Sequence, residues 1–502
     1  MDLLGNLALG FGVAATAQNL ALCFVGCLLG TAIGVLPGIG PLATMSMLLP
    51  LTFHLTPAGA LIMLAGVYYG AQYGGSTTAI LLNLPGEAAS VPTCLDGHAM
   101  AREGKGGVAL ATAALSSLLA GCIATVLLAA GAPALASVAL KFQSADYVAI
   151  LVLGLVAAIA LSHGSVLKAI AAVLIGLTLG LVGTDVSTGE YRLTFGIASL
   201  VDGIGFVPVA MGLFGLAEII GNLNRTGGSG VKPAPVARIW PVPAELRAIL
   251  APALRGTALG SFFGILPGGG PTIGAFSAYG LEKKIAREPQ RFGRGAIEGV
   301  AAPEAANNAA AQASFIPMLS LGIPPSALMA LMIGAMMIHG TAPGPSFIAK
   351  QPALFWGLVV SMWIGNAMLV VLNLPLIKLW VRLLGVPYLL LYPAIVALCC
   401  IGTYSVSNSV ADVVIMAVFG LAGWGFNKVG IEAAPLLMGL VLGPMLEENL
   451  RRAVSVSGGF SVFFTRPISA ALLACAVGVL IASALPALRR SRQRYFHQDS
   501  TA

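Results

Sequence analysis

Residues 26–41 read GCLLGTAIGVLPGIGP, and residues 256–271 read GTALGSFFGILPGGGP. Laid over each other at an offset of 230, nine of the sixteen positions are identical. Both copies place glycines four apart: Gly26, Gly30, Gly34 and Gly38 in the first, Gly256, Gly260, Gly264 and Gly268 in the second. Both then close on Leu-Pro-Gly-x-Gly-Pro. Residues four apart share one face of a helix. Each copy therefore predicts a helix with a smooth stripe, ended where Pro37 or Pro267 removes a backbone donor. Two such breaks in one apolar chain predict an internally duplicated membrane protein with a site at the paired breaks.

Composition sets the solvent. Of 502 residues, 58% are hydrophobic and only 9% charged, with a mean hydropathy of +0.93. A soluble domain carries about 25% charged residues, so lipid is the medium that tolerates this surface. The uncharged stretch 107–130, and the stretches 144–162 and 165–184 with one charge each near an end, are each of spanning length. They predict an all-α polytopic membrane protein with about a dozen or more spanning and re-entrant helices. The first residues lack a basic n-region, so the first span is expected to insert as its own signal. The seven cysteines form no CxxC pair and read as reduced, apolar-facing thiols.

Charge gives the orientation. Basic residues concentrate in 94–107, in 222–248, in 282–295 and in the C-terminal tail. The positive-inside rule places all four in the cytoplasm, and the net charge of +7 then sets topology rather than binding nucleic acid. With those loops on one side, the segments between the two breaks are odd in number, so the breaks have opposite orientation. The expected organisation is a membrane repeat at 1–221, a basic Gly/Pro-rich cytoplasmic linker at 222–249, an inverted-topology repeat at 250–487 and a basic cytoplasmic tail at 488–502. Isolated charges near segment ends, among them Asp146, Lys168, Asp185 and Glu218, are expected to pair or snorkel.

A second pair of breaks follows the first. Residues 74–90 read GGSTTAILLNLPGEAAS, and 307–327 read NNAAAQASFIPMLSLGIPPSA. Aligning them with each other requires a gap. Freed backbone N–H groups at a broken helix suit an anion, and freed carbonyls suit Na⁺. The substrate-site candidates are Gly38, Gly40, Ser76, Thr77, Asn83, Gly268, Gly270, Asn307, Asn308 and Gly322. The cation-site candidates are Gly38, Ile39, Gly268, Gly269, Thr78 and Gln312. Simple GxxxG packing competes for each glycine, and ordinary helix packing competes for each polar residue. No buried carboxylate stands out beside the breaks, which favours Na⁺ over H⁺. No cofactor or metal site other than Na⁺ is expected. No Walker motif, HExxH or Ser/His/Asp pattern occurs, so neither a nucleotide nor an enzyme is predicted.

Four motifs, GTAIGVLPGIGP, YYGAQYGGSTTAILLNLPGE, AAPEAANNAAAQASFIPMLSLGIP and APLLMGLVLGPMLEENLRRA, stand in this order along the chain. In them the chain resembles the large membrane subunit of the bacterial tripartite tricarboxylate transporters (TctA-like). The resemblance implies a multi-pass protein of the bacterial inner membrane. Its partners would be a small four-span membrane subunit (TctB-like) and a periplasmic solute-binding protein (TctC-like). It would import tricarboxylates or related, citrate-like carboxylates, coupled to Na⁺ or H⁺. The resemblance also implies kinship with elevator-type carriers, with the breaks lining the transport site. The competing readings are a passive anion channel and a non-transport membrane scaffold or receptor.

Overall fold

The computed structural model describes residues 3–36, 40–162, 165–185, 188–222, 238–266, 270–383 and 388–484. Pro37, Pro267, Gly38, Ile39, Gly268, Gly269, most of the linker and the tail lie outside them. The elements are almost all helices. They begin with α1 (Leu3–Ala14), α2 (Ala17–Val35), α3 (Pro41–Thr52), α4 (Pro57–Leu82), α5 (Val91–Arg102), α6 (Gly106–Ala139), α7 (Ser144–Leu161) and α8 (Val166–Gly180). After a two-residue hairpin, β1 (Gly183–Thr184) with β2 (Tyr191–Arg192), come α9 (Phe206–Ala210), α10 (Ala217–Asn222), α11 (Pro243–Ile265), α12 (Gly270–Ile285), α13 (Glu298–Ala313) and α14 (Phe315–Leu321). The chain continues with α15 (Ala327–Ile338), α16 (Phe347–Lys350), α17 (Pro352–Asn373), α18 (Ile377–Leu383) and α19 (Tyr388–Ser407). It ends with α20 (Val410–Lys428), α21 (Ala433–Ser457), α22 (Val462–Thr465) and α23 (Pro467–Ala484).

Among the described residues, five helices (α2, α6, α11, α17 and α20) are long and apolar enough to cross a membrane. On α20, Val410, Val414, Val418 and Leu421 are each more than half exposed along one face, the pattern of a helix solvated by lipid. Elsewhere the boundaries depart from the hydropathy reading. The stretch 94–107, expected as a loop, is mostly helix α5, and α21 runs on to Ser457. Its polar second half is held by i,i+4 pairs, Glu447–Arg451 and Glu448–Arg452, each at 2.6 Å.

The glycine stripes are contact surfaces. A Cβ at Gly26, Gly30 or Gly34 would sit 2.2, 2.3 or 2.3 Å from the carbonyl oxygen of Met63, Val67 or Ala71 on α4. A Cβ at Gly256, Gly260 or Gly264 would sit 2.2, 2.2 or 2.4 Å from that of Ala302, Ala306 or Ala310 on α13. Packing, the plainer reading of the stripe, is therefore what these glycines do, and only the break beyond each stripe is left for a site. The carbonyl partners are 239 apart in the two cases (302 − 63), and so are the left-handed residues that end the second helices, Asn83 and Gly322 (322 − 83). No gap is needed across this helix. The nine extra residues relative to the offset of 230 enter before α13.

Paired contacts give helix directions. The steady step from 26·63 to 34·71 makes α2 and α4 parallel, and the step from 256·302 to 264·310 does the same for α11 and α13. Ser117·Asn308, Thr125·Gln312 and Ala132·Ser320 make α6 parallel to α13–α14. Cys23·Ser361 and Cys27·Gly365 make α17 parallel to α2. Between the sets the order reverses. Ser76 meets Glu304, whereas Tyr69, further back on α4, meets Phe315, further on, with ring centroids 6.3 Å apart. Helices α2, α4 and α17 therefore run against α6, α11 and α13.

The chain forms two compact units, one of residues 1–139 and 207–424, the other of 140–206 and 425–502. Each draws on both halves of the sequence. In the second unit α8 and α21 repeat the glycine device, Gly176 packing on Leu436 and Gly439 on Val173. Here the isolated charges find partners: buried Asp146 accepts from Arg466 at 2.6 Å and Ser469 at 2.7 Å, and Asp185 accepts from Arg451 at 2.7 Å.

Candidate functional site

In the first unit, α4 ends at Asn83 in the left-handed conformation, φ 57°. Its last turns carry Ser76, Thr77 and Thr78, and the chain then turns through Pro85 and Gly86 into Glu87 and α5. Gly86 approaches Gly75 so closely that a Cβ on Gly86 would lie 2.4 Å from the Gly75 Cα. This tight return places Glu87 and Thr93 beside α4, facing α13.

α13 is a helix of alanines with one polar stripe, Glu304, Asn307, Asn308 and Gln312, every member buried. Spacings of three and four put them on one face. Glu304 is 1% exposed. Its Oε2 accepts from the Ser76 hydroxyl at 2.6 Å and its Oε1 from the Thr93 hydroxyl at 2.6 Å. Asn307 donates to Glu87 Oε1 at 3.0 Å. Asn308 donates to Ser117 on α6 at 2.7 Å, and Gln312 accepts from Thr125 at 2.6 Å. Among the described residues no Lys, Arg or His pairs with Glu304 or Glu87.

A small cavity opens beside Glu304, bounded by Ser76, Thr77, Tyr73, Ser117 and the connection from Asn373 at the end of α17 to Ile377 at the start of α18. It offers about 10 Å³ to a water-sized sphere, room for about one water and far too little for a tricarboxylate. The Tyr73 hydroxyl and Asn308 Oδ1 are buried without a hydrogen-bond partner among the described residues.

The sequence candidates divide clearly. Ser76, Thr77, Asn307 and Asn308 come together around this cluster. Thr78 lies on the same turn, its hydroxyl turned back to the Gly75 carbonyl at 2.8 Å, and Gln312 lies further along α13. Asn83 and Gly322 are helix-ending residues with positive φ. Gly40 donates its N–H to Glu218 at 3.0 Å, and a Cβ at Gly270 would have Ser314 Oγ at 3.7 Å, so both have room that the stripe glycines lack. Gly38, Ile39, Gly268 and Gly269 fall outside the described residues. The expectation that no carboxylate is buried near the breaks is corrected by Glu304, with part-buried Glu87 close by. The signal was present: Glu304 lies three and four residues before the Asn pair, in a run otherwise mostly of alanines. Thr93 and Ser117 had no such signal, because only folding brings them to Glu304 and Asn308.

At the end of this unit, Asp96 of α5 is fully buried. Its Oδ1 accepts four backbone N–H groups, from Gly293, Arg294, Gly295 and Ala296, at 2.8–3.1 Å, and its Oδ2 accepts from Tyr279 at 2.9 Å. A Cβ at Gly107 would meet the Arg238 carbonyl at 2.2 Å. The basic stretch 94–107 thus touches both of the other two mid-chain basic stretches.

These features define a polytopic helical membrane protein with a buried acidic and hydroxyl-rich centre between helices of opposed direction. Comparison with known proteins gives the family. The profile of the family described as "Tripartite tricarboxylate transporter TctA family" matches residues 20–438, and the chain belongs to that family. It is 54% identical over 500 residues to an Agrobacterium vitis protein described as "Uncharacterized 52.8 kDa protein in TAR-I ttuC' 3'region", covering 99% of this chain and all of the relative. It is 53% identical over 241 residues to the A. vitis "Uncharacterized protein in TAR-II ttuC' 3'region", covering 48% of this chain and all of that relative. No solved structure matches the chain.

Proposed function

We propose that this chain is the membrane-embedded transport subunit of a binding-protein-dependent secondary transporter that imports tricarboxylates or related carboxylates. Membership of the family supports the substrate class and the two partners, a small membrane subunit and a periplasmic binding protein. The observation that carries the reading is the polar stripe of α13, buried against the last turns of α4 where the two sets of helices run in opposite directions. Polar side chains inside a membrane protein are costly and mark substrate and ion paths. Two glycine-striped helices with identical packing, opposed in direction, support two inverted-topology repeats. The contacts of the basic stretch 94–107 with the other two support their common cytoplasmic side. Two compact units, each drawn from both halves, support elevator-type motion of one body against the other. The narrow cavity beside Glu304 favours a carrier over an open pore.

The test is uptake into proteoliposomes holding all three components, with radiolabelled citrate as the first probe. A Na⁺ or proton gradient should drive accumulation, with no nucleotide and only when the binding protein is present. Unchanged accumulation after the gradients are collapsed would remove the coupling. Flux at channel rates would replace the carrier with a pore.

A further inference from the structure

We infer that Glu304 holds the coupling cation of the transport cycle: a proton or Na⁺ bound at its carboxylate and enclosed by Ser76, Thr93 and Tyr73. The inference rests on the transporter reading above and gives its coupling site a location.

Four observations on the geometry lead there. Glu304 is 1% exposed and has no cationic side chain beside it among the described residues. A buried carboxylate left ionised and unpaired is strongly disfavoured, so it takes up a positive charge from outside. The groups that bond its carboxylate are hydroxyl oxygens, of Ser76 and Thr93, and Thr77 and Ser117 bring two more to the cavity, the donor set that hard cations prefer. Tyr73, 5% exposed and with a hydroxyl that has no partner among the described residues, lines the same cavity, whose volume suits one water-sized particle. Finally, Ser76 Oγ lies within reach of two acceptors, the Gln72 carbonyl at 3.0 Å and Glu304 Oε2 at 2.6 Å, yet a hydroxyl has one proton. A proton on Oε2 donated to Ser76 satisfies both contacts. So does a cation bridging the two oxygens while Ser76 donates to Gln72.

This site differs from the glycine-tip and Thr78–Gln312 cation positions expected from the sequence. The other titratable groups on the elements around Glu304 are Tyr68, Tyr69 and Tyr73 on α4, Glu87 on the turn, Cys94, Asp96, His98 and Arg102 on α5, Cys122 on α6, Glu245, Arg247 and Arg255 on α11, Tyr279, Glu282, Lys283 and Lys284 on α12 and Glu298 on α13. Asp96 and Tyr279 bond each other, Arg255 pairs with Glu282 at 2.6 Å, and His98 bonds the Ile80 carbonyl at 3.1 Å.

The test is the thermal midpoint of the purified full chain in lipid nanodiscs, with Na⁺ titrated against choline at fixed ionic strength and, separately, pH lowered in choline. The wild type should be stabilised saturably by Na⁺ if the cation is Na⁺, or by acidification if it is a proton. Glu304→Gln should abolish whichever response occurs. Ser76→Ala and Thr93→Val should each shift the half-saturating concentration about tenfold, the scale of one hydrogen bond to a charged group: upward for Na⁺, which loses an oxygen ligand, and downward for a proton, because the ionised carboxylate loses a donor. These two variants keep the carboxylate, so they remain informative should Glu304→Gln fold poorly. A wild type indifferent to both cations would overturn the inference. So would Glu304→Gln responding as the wild type does, or half-saturation unmoved by both hydroxyl variants. None of these readouts needs a substrate or a partner, so they stand or fall separately from the uptake assay.

Discussion

Substituting Gly260 by Ala adds one methyl group at the tightest kind of contact in this protein. The new Cβ would lie 2.2 Å from the Ala306 carbonyl oxygen and 2.7 Å from its Cα, where ordinary contact begins at 3.4 Å. Backbone cannot swing aside as a side chain can, so α11 and α13 must separate by about 1.2 Å (3.4 − 2.2). A gap of 0.5–1 Å already forfeits roughly a quarter to a half of each dispersion contact, and overpacking of this kind costs about 1–3 kcal/mol. Gly30→Ala, 2.3 Å from the Val67 carbonyl oxygen, should cost about the same, because its surroundings are the same. The control is Gly425→Ala on α20, where a Cβ meets nothing within 4 Å and the added residue should be neutral or mildly favourable. The assay is thermal unfolding of the full chain in nanodiscs, followed by size-exclusion recovery. Gly260→Ala and Gly30→Ala should both lose several degrees relative to Gly425→Ala. If all three melt together, the stripes do not hold the helix pairs and the repeat argument loses its packing basis.

Asp96→Ala should destabilise the first unit by about 1–3 kcal/mol, since four backbone donors lose one buried acceptor. A cysteine introduced at Arg294 should then become faster to label, and an unchanged labelling rate would show that the turn holds itself. Asp146→Ala leaves Arg466 without its buried partner and should cost on the order of 3 kcal/mol. The double variant Asp146→Ala, Arg466→Met should recover part of that loss in the same melting assay, and no recovery would count against the pair. In a cysteine-free background, Lys105→Cys and Arg287→Cys should react with an impermeant maleimide only from the cytoplasmic side. Reaction from opposite sides would refute the shared face.

The duplicated stripe, the two proline breaks and the polar residues around the second pair were all legible from residue types and spacing. They were local patterns, and local patterns survive in a sequence. The missing parts were relations. Thr93 is an ordinary threonine in a stretch that hydropathy reads as a loop, until the close contact of Gly86 with Gly75 folds it back onto Glu304. Glu87 and Glu304 were visible as letters, but a carboxylate's importance in a membrane depends on whether anything neutralises it. Only the packing answers that. The second glycine pair, Gly176 with Gly439, lies on helices far apart in sequence and has no shared motif to betray it.

The two carboxylates also change what the polar stripe means. Ser76 and Asn307, which sequence patterning offers as donors to a substrate carboxylate, donate here to carboxylates of the chain itself. An anionic substrate brought to these donors would therefore meet Glu304 first. Two like charges about 4 Å apart at an effective dielectric of 20 repel by about 4 kcal/mol, on the order of a thousandfold in affinity. A proton or Na⁺ on Glu304 removes that repulsion, and a proton on its carboxyl also frees the serine from serving as its donor. By linkage, the bound substrate then holds the cation more tightly by the same factor. With Glu304 as the coupling site proposed above, coupling would need no signal carried between distant sites. It would follow from one buried acid sharing its hydrogen-bond donors with the cargo.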